Sequence, residues 1–231
     1  MDYYAGNAVL SMSSDGYTGV AGKLFGRPEE SRFGLYSPQG NRIWEVSLGK
    51  RERIDKILVA PGGQWAASLV TDSDRWLEDH RIQLRQKQGE LTTTLSGVGI
   101  IQKIVLLYNG PTLFIQGFDH YGMADLQSGG LIWRVEGKIR MASVSGAALS
   151  PDRKTLFLVL ADVKDKSQSE YNWMLQARDA KTGEILMVEK LPRQYPSTWS
   201  PVFEEVTPTE VRLQAGNYRL TFGWKREGGV Q

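Results

Sequence analysis

Cysteine is absent from the 231-residue chain. Its absence excludes disulfides, thiolate metal sites and cysteine nucleophiles. Histidine occurs only at His80 and His120, too few for a histidine-built metal centre. Neither sign of charge dominates: 28 Lys+Arg face 26 Asp+Glu, a net +2. That balance gives no electrostatic reason to expect nucleic acid or an acidic membrane as partner. No apolar run reaches the ~20 residues of a membrane helix. The longest candidates, Ile54–Ala60, Ile100–Leu107 and Thr155–Ala161, are bounded by charged or turn residues. Nothing before Leu10 joins a basic segment to an apolar stretch, so no signal peptide is read there. A cytoplasmic chain and a mature exported domain both stay open. Low-complexity and linker-like segments are missing as well, so residues 1–231 are expected to form one domain. With 41% hydrophobic and 23% charged residues, the chain has the means to bury a core.

What it does contain is a repeat. One set of turns reads Ser14-Asp15-Gly16, Pro61-Gly62-Gly63, Tyr108-Asn109-Gly110-Pro111 and Ser150-Pro151-Asp152. From Gly16 to Gly63, Gly110 and Asp152 the steps are 47, 47 and 42 residues. A second set lies between them: Pro38-Gln39-Gly40, Lys87-Gln88-Gly89, Gln127-Ser128-Gly129 and Lys181-Thr182-Gly183, at steps of 49, 40 and 54. Two interleaved series imply one four-stranded unit repeated, at the period of propeller blades. The expected fold is all-β, a β-propeller of about five four-stranded blades. The units span about 7–48, 55–96, 101–136, 144–191 and 200–225. Strands in the first are expected near 7–13, 17–25, 32–37 and 41–48. The last unit has only three, near 201–207, 210–215 and 218–225, and residues 2–5 are expected to complete it by pairing with the strand near Tyr218–Trp224, which hides an edge. First strands such as Ile57-Leu58-Val59, apolar on both faces, suit an inner position.

After the second turn, Gly40-Asn41-Arg42-Ile43-Trp44 matches Gly129-Gly130-Leu131-Ile132-Trp133. Trp44 and Trp133 should therefore occupy equivalent, buried places, wedged between neighbouring units. Met187 and Thr93 hold that place in the fourth and second units. The stretch from Asp74 to Gln88 has helix-forming residues and a cap at Asp72-Ser73. Alternation of Ile82 and Leu84 with Arg81, Gln83 and Arg85 favours a loop to about Asp79 and then a strand.

Leu35-Tyr36-Ser37-Pro38-Gln39-Gly40-Asn41-Arg42-Ile43-Trp44 and Arg178-Asp179-Ala180-Lys181-Thr182-Gly183-Glu184 resemble the repeat of quinoprotein-like β-propellers. Ser150-Pro151-Asp152 followed by Thr155-Leu156-Phe157-Leu158 also resembles WD40 and YVTN-type repeats. The resemblance covers most of the chain and concerns architecture. It implies either quinone-dependent dehydrogenases or scaffolds such as the lipoprotein of the outer-membrane assembly machine. Two departures weigh against the cofactor. Members of that family have eight blades, and their quinone pocket includes a vicinal cysteine pair. No quinone or other cofactor is expected here, and a periplasmic or extracellular setting is favoured over a cytoplasmic one.

Motifs for chemistry are scarce. Gly16 to Lys23 misses the phosphate-loop spacing, with five residues between Gly16 and Gly22 and Leu24 after Lys23. No Gly-x-Ser-x-Gly elbow exists. Asp72-Ser73-Asp74 lacks the glycine and terminal glutamate of a calcium loop and reads as a solvated turn. Asp119-His120 has no partner histidine or nucleophile, and His120 reads as a polar turn residue. Glu29-Glu30, placed in a hairpin tip, and Glu204-Glu205 are adjacent pairs, whose side chains point to opposite strand faces. Lys164 to Glu170 is a charged hairpin loop. No catalytic, metal or cofactor residue is assigned. Trp65, Trp173 and Trp224 are expected in the core. Trp76 lies among charges and Trp199 follows Tyr195-Pro196, so Trp76, Trp199 and Tyr195 are the candidate interface. The function expected is a non-enzymatic scaffold for a protein partner. A small-ligand binder or a hydrolase or lyase using a central channel is the alternative, as is a fragment of a longer propeller.

Overall fold

The computed structural model describes residues 4–24, 27–72, 80–107, 110–118, 120–136, 141–162, 172–192 and 200–224. Among these, nineteen strands form five antiparallel sheets, and the only helical piece is a 3-10 turn at Pro61–Gly63. The first sheet comprises β1 (Tyr4–Met12), β2 (Thr18–Leu24), β3 (Arg27–Tyr36) and β4 (Arg42–Ser47), in that order. The second is β5 (Glu52–Val59), β6 (Trp65–Asp72), β7 (Arg81–Gln86) and β8 (Leu91–Leu95). The third is β9 (Ile101–Leu106), β10 (Thr112–Gly117), β11 (His120–Asp125) and β12 (Gly130–Glu136). The fourth is β13 (Met141–Leu149), β14 (Thr155–Asp162), β15 (Asn172–Asp179) and β16 (Ile185–Lys190). The last has three strands, β17 (Val202–Val206), β18 (Glu210–Ala215) and β19 (Tyr218–Gly223). This is the up-and-down blade of a β-propeller, repeated along the chain. The chain falls into two compact units, Met1–Phe118 with Ala124–Gly130, and Asp119–Met123 with Leu131–Gln231.

Three expectations are corrected. Tyr4 and Ala5 do not pair with the last sheet: they lie opposite Leu24 and Lys23 in the first. They extend β1 because its own neighbour offers a ladder in register; residues 2 and 3 lie outside the described residues. Burial on both faces is found in β6 and β14 rather than in β5: Trp65 to Thr71 and Thr155 to Ala161 are buried throughout, whereas Leu58 is only partly buried. Glu29 and Glu30 lie within β3, which already begins at Arg27. The segment from 81 to 86 is strand, as alternation implied.

Both turn series have a chemical basis. Ser13 donates its hydroxyl to Asp15 Oδ1 at 2.6 Å and accepts the Tyr17 N–H at 3.0 Å. Ser150 does the same with Asp152, at 2.5 Å, and with the Thr155 N–H, at 3.0 Å. These side chains supply the partners that a tight turn leaves its backbone lacking. Asp15 goes further and accepts the N–H of Gly62 at 2.6 Å, tying the first turn of one sheet to that of the next. In the second series Gly40, Gly89, Gly129 and Gly183 all have positive φ, between 74° and 86°, where a Cβ is strained.

The second reason for those glycines is contact. A methyl group added at Gly89 would lie 3.0 Å from Trp44 Cγ, and one at Gly183 would lie 2.7 Å from Trp133 Cδ2. One added at Gly129 would lie 2.8 Å from Thr93 Cγ2. So the residue four places after one turn glycine lies on the corresponding glycine of the following sheet. In β4, β8 and β16 a bulge directly precedes that residue: Leu35 faces Trp44 while Tyr36 faces Arg42, and the same skip recurs at Thr93 and Met187. A bulge of this kind re-aims the next side chain. Trp133 also donates its indole N–H to the Ala180 carbonyl at 3.0 Å. The apolar cores follow the same logic. Phe33, Leu35 and Trp44 pack with Ile54, Ile57 and Val59, and Phe157, Trp173 and Leu175 pack with Val211 and Leu213.

Trp133→Ala should lower stability by about 3–5 kcal/mol, the usual cost of deleting a buried indole. Thr93→Ala should cost about 1 kcal/mol, as a small truncation does. Urea unfolding of the two variants gives the comparison, and equal losses would refute the wedge. Asp15 supplies a pH test. Its carboxyl is held below its ordinary range, first by the Ser13 hydroxyl and then by the Gly62 N–H. A depressed carboxylate pKa stabilises above the unfolded value of about 3.9 and loses that contribution as pH falls through the folded one. Asp15→Asn should therefore melt below the native chain at pH 7, and the gap should close toward pH 3.

Candidate functional site

The three residues picked out as an interface lie outside the described residues: Trp76 within 73–79, and Tyr195 and Trp199 within 193–199. The charged loop from Lys164 to Glu170 does too. What the structure does place are the residues on either side of the Trp76 segment. β6 ends at Asp72, and His80 stands just before β7. His80 is buried. Its backbone N–H donates to the Gly99 carbonyl at 3.2 Å, and its Nδ1 accepts the Ile101 N–H at 3.0 Å. An Nδ1 that accepts carries no proton, so the neutral ring is the Nε2–H tautomer. Between these two anchors, the Ile100 carbonyl accepts the N–H of Phe118 at 3.2 Å. Phe118 is 74% exposed. One strip, residues 99–101, thus carries the C-terminal base of the Trp76 segment and an uncovered phenyl ring.

Phe118 was missed in the sequence. It follows Gly117 in the tight connection between β10 and β11, and a side chain at such a tip has no sheet face to pack on. That position was the available signal. His120 was placed wrongly: it is buried as the first residue of β11, not exposed in the turn. Asp119 lies outside the described residues, and the Asp119-His120 pair with it.

Trp65 and Trp173 are buried. Trp224 sets its ring edge-on to Phe157 at 4.9 Å and donates to the Thr207 carbonyl at 3.2 Å. Glu204 and Glu205 are consumed in ion pairs, with Arg219 at 2.5 Å and with Arg212 at 2.6 Å. Arg212 also pairs with Glu210, and these carboxylates push its guanidinium pKa up.

The most unusual polar group is internal. Arg178, in β15, is buried. Its Nε donates to Gln176 Oε1 at 2.7 Å, Nη1 to the Gly183 carbonyl, and Nη2 to the Tyr121 hydroxyl. The cation stacks 5.1 Å from the Tyr121 ring centre and 6.0 Å from that of Trp133. Burial pushes the Arg178 pKa down and that of Tyr121 up, the second effect offset in part by the cation. No carboxylate pairs with Arg178 among the described residues. Arg85 repeats the device, donating to the Gly89 carbonyl at 3.0 Å. Each arginine thus fixes the glycine on which a tryptophan lies, so this cluster is a joint rather than a site. Among the described residues no group of His, Asp and Glu could hold a metal ion, and no helix is long and apolar enough to cross a membrane.

No family model matches the chain, and no curated protein matches it. Solved structures do. Hydrazine synthase of Kuenenia stuttgartiensis is similar over 89% of this chain and 60% of its own, at 13% identity and a TM-score of 0.56. The β-propeller domain of the Trilobed protease from Pyrococcus furiosus, described as having an open velcro topology, is similar over 96% and 71%, at 11% identity and 0.57. Hsv2 from a Kluyveromyces yeast, K. marxianus, is similar over 96% and 73%, at 11% and 0.61. The chain thus spans 60% of the hydrazine synthase chain and about seven-tenths of the other two. At these identities the likeness establishes the β-propeller fold.

His80→Ala would leave the buried Ile101 N–H without its acceptor, a loss of about 1–3 kcal/mol. Chemical denaturation should show it, together with faster amide exchange at Ile101 itself. An unchanged midpoint would mean that the strip is held by other contacts.

Proposed function

We propose that the five sheets act as a non-enzymatic scaffold that binds a protein through the connections at one end of the blades. The observation that carries this reading is Phe118, 74% exposed on the strip that also anchors the Trp76 segment. Uncovered aromatics beside a fixed backbone are what protein interfaces use as anchors. Blade connections are where propellers and other rigid scaffolds commonly carry binding. Near-neutral net charge fits a protein partner better than nucleic acid. Tyr195 and Trp199 belong to the same proposed surface class.

Affinity capture from cells of the source organism tests this reading. The scaffold reading expects a protein retained by the native chain and lost with Phe118→Glu, which should melt within a degree or two of native, as exposed substitutions do. A native chain that retains no protein, or one retained equally by Phe118→Glu, would overturn it.

A further inference from the structure

The Trp44 joint and the Trp133 joint share one plan and differ in how they are filled. Phe33 sets its ring edge-on to Trp44 at 5.0 Å, as Tyr121 does to Trp133 at 6.3 Å. Each stands directly before a glycine, Gly34 or Gly122, where an added methyl group would meet the carbonyl oxygen of its tryptophan. Across each joint lies an arginine, Arg85 or Arg178, with a buried glutamine, Gln83 or Gln176, two residues before it. Opposite that glutamine on the second strand is Ser68 in one sheet and Leu158 in the other. The Trp44 joint thus has a serine in place of leucine and a phenyl ring in place of a phenol. Both changes leave room, and the second removes a hydrogen-bond acceptor.

The consequences show in the donors. In the Trp133 joint, Arg178 Nε, Nη1 and Nη2 and the Trp133 indole donate to Gln176, Gly183, Tyr121 and Ala180. In the Trp44 joint, Arg85 Nη1 donates to the Gly89 carbonyl at 3.0 Å. Arg85 Nε, Trp44 Nε1 and Ser68 Oγ, however, are buried with no hydrogen-bond partner among the described residues. Glu52, whose charge reaches Arg85, is already committed: Oε1 accepts from Arg81 at 3.0 Å and Oε2 from the Gly49 N–H at 2.8 Å. Ser68 faces Gln83 and Ala66 faces Arg85, so Ser68 and Arg85 are diagonal neighbours on one sheet face, a span that a long side chain crosses. That face is turned to the first sheet, since Ala66 packs with Phe33, Leu35 and Trp44. Buried polar groups that the protein leaves unpaired call for an ordered water or an ion.

We propose that the Trp44 joint binds a small monovalent anion, of chloride size and charge, between Arg85 Nε and the Ser68 hydroxyl. Both groups donate, and the guanidinium balances the charge of an anion as it cannot that of water. Burial pushes the Arg85 pKa down, and a bound anion offsets that cost. Every residue of the site lies in the compact unit that contains Met1–Phe118.

The full chain is titrated with sodium chloride in exchange for sodium gluconate at constant ionic strength. The urea midpoint and the chloride NMR line width are read together. Chloride should broaden its line on the protein, and bromide should narrow it again by competition. The midpoint should rise and then level off, the folded-to-unfolded ratio gaining about a hundredfold at a hundred times the Kd. Phe33→Tyr with Ser68→Leu installs the filling of the Trp133 joint, and this double variant should lose both responses. Where it does not fold, Ser68→Ala removes the hydroxyl alone and should weaken chloride binding roughly tenfold, as losing a hydrogen bond to a charged group does. A midpoint indifferent to chloride would overturn the proposal in favour of water. So would a midpoint that climbs without levelling, a line width equal in the native chain and the double variant, or an affinity that Ser68→Ala leaves unchanged.

Discussion

Everything in this fold depends on one contact, an indole lying on a glycine. A four-stranded antiparallel sheet has two faces, and no blade buries both of its faces alone. The wedge solves this by letting the outer strand of one sheet reach the turn of the next. It needs three things at once: a bulge to aim the side chain, a turn with positive φ to present a flat surface, and the absence of a Cβ on that surface. Trp44 on Gly89 meets all three, and Trp133 on Gly183 meets the last two. Two arginines complete the design, Arg178 buried and Arg85 partly so. Arg178 and Arg85 bind the carbonyls of those same glycines, so the turn is held from below while the ring covers it. The stack of Arg178 on Tyr121 and Trp133 offsets part of the cost of an unpaired buried charge.

Most of this was legible in the sequence because turn chemistry is local. Ser-Asp and Gly at fixed offsets announce their own hydrogen bonds, and a tryptophan at a constant distance from a glycine announces a repeated contact. The three strands of the last sheet could be read for the same reason, since β19 alternates cleanly. What could not be read was whatever depends on partners distant in sequence. Tyr4 and Ala5 have the propensity of any edge strand, and nothing in them distinguishes the last sheet from the first. His120 has the same neighbours whether it ends a turn or begins β11, and only packing decides that it is buried. Phe118 resembles a core residue by composition, and its exposure follows from its place at a hairpin tip.

The wedge also has a kinetic consequence. Trp44 and Gly89 are separated by one repeat of sequence, as are Trp133 and Gly183. Each sheet closes from adjacent hairpins, and each joint closes over a single repeat, so loop entropy is spent in small steps rather than in one long search. Such a chain can order sheet by sheet as it leaves the ribosome, every new blade finding its template already formed. Its weakest moment is then a blade whose wedge has emerged but whose receiving glycine has not, when an indole and an unpaired strand edge face solvent together.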